Sequence, residues 1–159
     1  MRRLLGMLLV LSCLMPACAQ AVVRIGEDHG GRIGNYLLKY KLLSLSGEPV
    51  IIDGLCASAC TMVLMLPKHQ ICATPRAVLG FHQAYDFGTA SIGGRMVSAA
   101  IPNREATDLL FSYYPKPVHA WINMHNGMPQ PSRILALKWP EIAKFVPQCP
   151  RQGALPALY

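Results

Sequence analysis

Apolar and polar residues follow two kinds of pattern in the first half of this chain. The short β-branched runs Val22–Ile25 and Val50–Asp53 are typical of buried strands. Between them, apolar residues recur at helical spacing from Ile33 onward, with either Leu43 or Leu45 as the last apolar contact. A glycine followed by a proline ends this helix. A strand, a helix and a second strand in this order predict a βαβ unit with parallel strands and a right-handed crossover.

Helix-like and strand-like apolar segments continue to follow each other after Asp53, and the pattern becomes irregular after His82. Ser58–Leu66 has helical character, and two short apolar runs after it predict strands at residues 70–73 and 77–81. Residues 84–100 combine glycines and aromatic residues without a clear period, which predicts a long loop. A helix opens at Pro102 or Asn103, and further elements are predicted at 118–125 (helix), 134–137 (strand) and 139–145 (helix). The predicted class is α/β, with a mostly parallel sheet and a helical C-terminal part.

The first 21 residues have the composition of a secretory signal peptide. Arg2 and Arg3 precede a short apolar run, and small residues then allow cleavage after Ala19 or Ala21. The run is shorter than the about 20 residues that a membrane-spanning helix requires. We therefore expect an exported protein. Lipid anchoring through Cys18 is the less favoured alternative, because the residues before it suit lipidation poorly.

Length and charge restrict the classes of function. The chain of 159 residues fits one domain, placed at 22–146, with an irregular, proline-containing tail at 147–159. Removal of the signal peptide would leave 13 basic and 8 acidic residues, lowering the net charge from +7 to +5. These basic residues are scattered, which is typical of a soluble surface and gives no reason to expect nucleic acid as a partner. No later segment is long and apolar enough to span a membrane.

Four cysteines remain after the signal peptide, and their even number suggests two disulfides in an oxidising compartment. The sequence leaves all three possible pairings open. A zinc site that includes His69 is an alternative, but the ligand spacing is irregular and the expected compartment favours disulfides. We expect no metal and no cofactor. The four cysteines are Cys56, Cys60, Cys72 and Cys149.

Ser58 is the first candidate for chemistry. A serine at the start of a helix is most often a cap, but the small neighbours Ala57 and Ala59 leave room around this hydroxyl. The amides at the helix start, with Ala59 nearest, could stabilise an oxyanion. The loop Gly30-Gly31, at the carboxyl end of the preceding parallel strand, could supply a second N–H group.

His82 is the second candidate, because it follows the apolar run that ends at Phe81. A lone histidine after a strand is more often a packed or surface residue than a base. A neutral imidazole within hydrogen-bond distance of Ser58 would nevertheless be the general base that a weakly nucleophilic hydroxyl requires. His119 and His125 do not have the spacing of a helical metal pair, and we expect structural or surface roles for both.

The chain contains the run Gly54-Leu55-Cys56-Ala57-Ser58-Ala59-Cys60 and, further on, a segment from Cys72 to Gln83 that includes Gly80-Phe81-His82. These two stretches resemble the nucleophile and histidine segments of the Clp protease proteolytic subunit. They are closer still to exported Clp-protease-like proteins of bacteria in the ClpP/crotonase superfamily. The resemblance covers about residues 22–146 and is strongest at 49–83. It implies a spiral of βαβ units, a peptide or protein substrate, and a homo-oligomer as a possible assembly.

The same resemblance implies a role for each candidate residue. Ser58 would be the nucleophile, His82 the general base, and the backbone N–H groups of Gly31 and Ala59 the oxyanion hole.

The third residue of the family's triad, an aspartate, is missing. The corresponding segment, Ser132-Arg133-Ile134-Leu135, has no acid, and Asp86, Glu105 and Asp108 do not match the family pattern. The histidine could act in a dyad, or use Asn126 or a backbone carbonyl as its partner. Two hypotheses follow. One is a serine peptidase, and the other is an inactive relative that binds a peptide or protein partner in the same groove.

Overall fold

The computed structural model describes residues 21–150. The predicted signal peptide therefore lies almost entirely outside the described residues, as does the end of the predicted tail, residues 151–159. The strands are β1 (Val23–Asp28), β2 (Val50–Ala57), β3 (Ile71–Ala73), β4 (Val78–Phe81), β5 (Tyr85–Ile92), β6 (Arg95–Pro102) and β7 (Leu135–Lys138). The α-helices are α1 (Ile33–Ser46), α2 (Arg104–Ser112) and α3 (Lys116–Met124), and two 3₁₀ helices span Ser58–Met65 and Glu141–Lys144.

The main sheet is mostly parallel, as the sequence predicts. Its strand order is β1-β2-β4-β7, and β3 also pairs with β2. The first half of β2 is parallel to β3, and its second half is parallel to β4. Only β7 runs antiparallel to its neighbour among the described strands of this sheet. The carboxyl ends of β1, β2 and β4 therefore lie at one edge, where ligands bind in open α/β sheets.

The core forms where β2 is covered on both faces. Val50, Ile51 and Ile52 are at most 1% exposed, which explains the uninterrupted apolar run in the sequence. Helix α1 packs one stripe of side chains against this sheet, with Tyr40 and Leu43 buried. Leu45 is exposed, so Leu43 is the last apolar contact of the helix.

Strand β1 is longer than the prediction, which ended it at Ile25. The register between β1 and β2 shifts between Ile25 and Glu27, and the strand then continues to Asp28. The bulge brings Gly26 so close to Gly54 that a Cβ on Gly54 would collide with the Gly26 carbonyl oxygen. The extension consists of Gly26, Glu27 and Asp28, which do not have the apolar pattern that predicts a buried strand.

The prediction of a long loop at residues 84–100 is wrong. Strands β5 and β6 pair along their full length as an antiparallel hairpin. Gly93 and Gly94 form its turn, with φ values of 56° and 78°, as a two-residue hairpin turn of this kind requires. Phe87 is 82% exposed and Met96 68% exposed. The hairpin is held by backbone pairing, so burial imposes no alternating pattern on its sequence.

The C-terminal part is only partly helical. Helices α2 and α3 confirm two predictions, and Asn103 caps α2 by accepting a hydrogen bond from the Ala106 N–H. The predicted helix at 139–145 is reduced to the short 3₁₀ turn Glu141–Lys144. No helix among residues 21–150 has the length and hydropathy needed to cross a membrane.

The four cysteines form two disulfides, Cys56–Cys60 and Cys72–Cys149. The second one fixes the start of the predicted irregular tail to β3. Around it, Gln148 forms a parallel bridge with Ala73, and the Cys149 N–H donates to the Ala73 carbonyl at 3.0 Å. The structure thus selects one of the three pairings that the sequence left open.

Asp53 is a buried acid in β2 that lies beside two exposed arginines. Its carboxylate accepts hydrogen bonds from Arg24 and Thr74, each at 2.7 Å. The Arg76 guanidinium donates to the same carboxylate at 2.5 and 3.2 Å. The hydrogen bonds from Arg76 and then Thr74 lower the pKa of Asp53 from 3.8 to about 2, against burial, which raises it.

Loss of the Cys72–Cys149 disulfide should destabilise the protein more than loss of Cys56–Cys60. The first closes a loop with a sequence separation of 77, so C72A/C149A should lower the free energy of unfolding by about 4 kcal/mol. The second spans a separation of 4, so C56A/C60A should lower it by about 2 kcal/mol. Urea unfolding of both variants measures the two values, and the reverse order would contradict this expectation.

The Asp53 network should make stability depend on acid pH. Because its folded-state pKa is depressed, ionised Asp53 contributes stability above its unfolded pKa of about 4 and loses that contribution as the pH falls towards about 2. Asp53→Asn should therefore be less stable than the wild type by about 2 kcal/mol at neutral pH, with the difference vanishing through this window. Urea midpoints across the pH range test this. A difference that does not change with pH would refute it.

Candidate active site

Ser58 lies at a sharp turn between β2 and the first 3₁₀ helix. Ala57 is still extended, whereas Ser58 has a φ of +56°. Among the described residues, Ser58 and Asn126 are the non-glycine residues with positive φ. A side chain is disfavoured in this region, and such outliers concentrate at functional sites. A serine that only caps a helix is normally extended, so capping does not explain the left-handed conformation of Ser58.

Gly30 packs directly beneath this turn. It has a φ of +84°, and a Cβ at this position would lie 2.6 Å from both the Ser58 Cβ and the Ala57 carbonyl oxygen. The same Cβ would lie 2.9 Å from the Ala59 nitrogen. The glycine loop after β1 and the serine turn after β2 are therefore neighbours, and glycine is required for the contact.

Asp28 holds the glycine loop in place. Its carboxylate accepts a hydrogen bond from the Gly30 N–H at 2.9 Å and another from the Tyr36 hydroxyl at 2.5 Å. Burial, together with the Asp28 carboxylate, raises the pKa of Tyr36, which therefore remains a donor. Asp28 is not among the site residues predicted from the sequence. The signal for it was an aspartate two residues before a glycine, which is typical of a side-chain-capped turn.

Two amides near the turn could bind an anion. Asp28 occupies the Gly30 N–H, whereas the Gly31 N–H has no backbone or side-chain acceptor in the described part of the chain. Ala59 is fully buried in the first turn of the 3₁₀ helix, where the amides have no acceptor within the helix. Both amides belong to segments that meet beside Ser58.

A buried pair of hydroxyls supports the Ser58 turn from within the core. Thr61 donates a hydrogen bond to the Ser58 carbonyl oxygen at 2.5 Å, and its hydroxyl lies 2.6 Å from that of Tyr114. Burial raises the pKa of Tyr114, so this phenol stays protonated and can donate to Thr61. This contact is not predictable from local sequence patterns, because Thr61 and Tyr114 are 53 positions apart along the chain.

His82 leaves the sheet at the same edge as Ser58. Strands β2 and β4 are parallel with Ala57 opposite Gly80, so each candidate follows its strand within two residues of that pair. The imidazole is buried, and its Nδ1 lies 2.8 Å from the Gln83 carbonyl oxygen. A carbonyl can only accept, so Nδ1 donates in this contact, and in the corresponding neutral tautomer Nε2 is the nitrogen without a proton.

Two contacts expected of a complete triad are not formed. Within residues 21–150, the side chains of Ser58 and His82 share no hydrogen bond, and no carboxylate is bonded to the imidazole. Asp86 instead accepts from the Asn103 side chain at 2.7 Å. The Gln83 carbonyl occupies the position next to Nδ1, where the aspartate of a Ser–His–Asp triad binds. Gln83 thus supplies a backbone carbonyl, one of the alternative partners of His82 that the sequence leaves open.

The other candidate residues are engaged elsewhere. Cys56, Cys60 and Cys72 are in disulfides, so none of them provides a thiolate to a metal or a substrate. His119 lies 2.6 Å from the Phe111 carbonyl oxygen, and His125 contacts a carbonyl of its own helix. Both histidines pack against neighbouring aromatic rings, which is a structural role.

A cavity of about 480 Å³ lies away from this site. It opens between the end of the first 3₁₀ helix, the segment joining α2 to α3, and Phe145. Its lining is mainly apolar and includes neither Ser58 nor His82. Size alone would favour this cavity as a ligand site, but it has no nucleophile paired with a base. The candidate nucleophile Ser58 and the candidate base His82 lie at the sheet edge instead.

Gly30→Ala should disrupt the serine turn, whereas Gly34→Ala should not. The added methyl at Gly30 meets Ser58 and Ala59, and φ is positive, so we expect a loss of about 2 kcal/mol or more in the free energy of unfolding. Gly34 lies in α1 with open space around it, so alanine there should be neutral or stabilise by up to about 1 kcal/mol. Urea unfolding of both variants measures this. Equal stability would show that Gly30 does not support the turn.

Comparison with known proteins assigns no relative to this chain: no family model, no curated protein and no solved structure matches it. The interpretation of the site therefore depends on its own geometry. That geometry consists of a serine in a left-handed turn at a helix start, a glycine loop packed beneath it, and a buried histidine at the same edge.

Proposed function

We propose that this chain is an exported serine hydrolase that cleaves peptide bonds. The observation that carries the proposal is the Ser58 turn, which places a hydroxyl at the start of a helix in a conformation that serine normally avoids. Gly30 lies beneath the turn, and the helix amides point towards the same edge. Strained strand-to-helix turns of this kind expose nucleophilic serines in other hydrolase folds.

The residues have defined roles in this reaction. The Ser58 Oγ attacks the carbonyl carbon of the scissile bond, and its proton passes to the His82 Nε2. The amides of Gly31 and Ala59 stabilise the oxyanion that forms on the carbonyl oxygen. The imidazolium then donates its proton to the leaving amine, which leaves an acyl-enzyme. Water attacks this ester as His82 accepts its proton, and that proton then passes to the Ser58 Oγ as the bond to the acyl group breaks and the free acid is released.

The Gln83 carbonyl takes the orienting role in this proposal. Its contact with Nδ1 fixes the tautomer, so that Nε2 is the basic nitrogen. A bonded carbonyl also stabilises the imidazolium that forms during attack. It carries no full charge, so we expect slower turnover than a complete triad would give.

The order of elements supports the resemblance to the ClpP/crotonase superfamily. A glycine loop follows β1, the serine follows β2, and the histidine follows β4 of a mostly parallel sheet. In the proposed family, these three segments supply the oxyanion donor, the nucleophile and the base. The two disulfides support an oxidising compartment such as the bacterial periplasm, reached by means of the signal peptide at residues 1–21.

A second function is favoured by the incomplete contacts of His82. Without a carboxylate partner, and without a hydrogen bond to Ser58, the site could hold a peptide or protein partner and not cleave it. The sheet edge, the amides of Gly31 and Ala59, and the buried histidine would then form a binding groove. The two functions differ in whether Ser58 reacts.

A fluorophosphonate probe should label the oxidised mature protein at Ser58, because the probe captures a serine activated by a base beside an oxyanion hole. Mass spectrometry of tryptic peptides identifies the labelled residue. Ser58→Ala should abolish labelling, and His82→Ala should slow it by about 100-fold.

Ser112→Ala is the matched control, because the Ser112 hydroxyl only donates to the Leu109 carbonyl of its own helix. This variant should be labelled at the wild-type rate. Folded wild-type protein that is not labelled, but that binds peptides in a manner sensitive to Ser58 substitution, would favour the binding function and exclude the hydrolase.

A further inference from the structure

We propose that the Cys56–Cys60 disulfide is a clamp that holds Ser58 in its left-handed conformation, and that this pair consists of positioning residues for the site. The inference deepens the proposed function and rests on it for its catalytic consequence. Its structural part, that the disulfide maintains the turn, can be tested without any activity.

Both ends of the clamp are anchored in the core. Cys56 lies in β2, where its register partners are Asp28 on β1 and Leu79 on β4, and it is fully buried. Cys60 is also fully buried, and the Tyr40 hydroxyl donates to its carbonyl oxygen at 3.0 Å and lies 3.7 Å from its Sγ. Neither anchor can move without disturbing the sheet or α1.

The residues between the anchors have little freedom. The Cα atoms of Cys56 and Cys60 are 5.2 Å apart, whereas four extended peptide steps would span roughly 13 Å. The intervening Ala57-Ser58-Ala59 must therefore form a tight turn, and Ser58 is its central residue. The positive φ falls on that central residue.

The clamp controls the orientation of both reactive groups. The φ and ψ angles of Ser58 set the direction of its own hydroxyl and of the following Ala59 N–H. If the disulfide is removed, the Thr61 hydrogen bond and the Gly30 contact still support the turn, but nothing covalent opposes its relaxation. A non-glycine residue favours the right-handed region, so relaxation moves the hydroxyl and the amide together.

This disulfide stabilises the whole chain less than Cys72–Cys149 does. Its sequence separation of 4 restricts the unfolded chain much less than the 77 of Cys72–Cys149. Its sulfurs are also buried, so an external thiolate cannot attack them in the folded protein. The structure therefore points to a permanent local constraint on the serine turn, distinct from a redox switch.

The structural part is tested by comparing Ser58→Gly with Ser58→Ala, both of which lack the hydroxyl. With the disulfide intact, glycine relieves the left-handed strain, so Ser58→Gly should unfold at a temperature about 4 °C higher than Ser58→Ala. In the C56A/C60A background the turn can relax, and this advantage should disappear. An advantage of equal size in both backgrounds would overturn the proposal, as would equal stability of the two variants with the disulfide intact.

The catalytic part is tested by fluorophosphonate labelling of C56A/C60A and of its matched control C72A/C149A, at a temperature where circular dichroism shows both folded. C56A/C60A should react at least about 10-fold more slowly at saturating probe, with little change in the probe concentration giving half-maximal rate. C72A/C149A should keep the wild-type rate despite its larger loss of stability.

Wild-type labelling by C56A/C60A would overturn the clamp and leave the hydrolase function intact. Failure of the wild type to label would overturn the hydrolase function, and the comparison of Ser58→Gly with Ser58→Ala would still decide whether the clamp exists.

Discussion

The contact between Gly30 and the Ser58 turn is the constraint on which the site depends. Two loops, from neighbouring parallel strands, approach so closely that a single Cβ at Gly30 would overlap Ser58 and Ala59. The absence of that atom lets the glycine loop lie beneath the serine and brings its amides to the helix start. Asp28 on one side and Thr61 on the other fix the two loops by hydrogen bonds. The contact therefore fixes the position of the glycine loop relative to the serine turn.

The main sheet is the frame of the site, because its strands bring the glycine loop and the serine turn together. Parallel strands direct their carboxyl ends to the same edge, so the glycine loop, Ser58 and His82 all lie at that edge although they come from three separate segments. Buried β2 is the rigid centre, and the Cys56–Cys60 disulfide joins its end to the following 3₁₀ helix. The β5–β6 hairpin lies outside this frame, because its strands pair only with each other.

His82 shows how an unusual partner alters the chemistry of a familiar arrangement. A backbone carbonyl at Nδ1 orients the imidazole as well as a carboxylate would, because a single acceptor is enough to fix the tautomer. It is weaker as an electrostatic partner, since it has no net charge to stabilise the imidazolium. Orientation and charge stabilisation are thus separated here, whereas a triad combines them in one aspartate. In the proposed hydrolase, this separation leaves the imidazolium less stabilised than in a triad.

Local patterns in the sequence determined α1, the apolar run of β2, the glycine loop and the candidate pair Ser58 and His82. Helical periodicity, an apolar run typical of a strand buried on both faces, and the chemistry of single residues can all be recognised within a short segment. Only the tertiary structure decided the pairing of the cysteines, the hairpin at β5 and β6, and the roles of Asp28, Thr61 and Gln83. These features depend on contacts between residues distant in sequence or on backbone groups, which no side-chain pattern records. The left-handed conformation of Ser58 belongs with them, since packing against Gly30 and the neighbouring disulfide impose it against the preference of the residue itself.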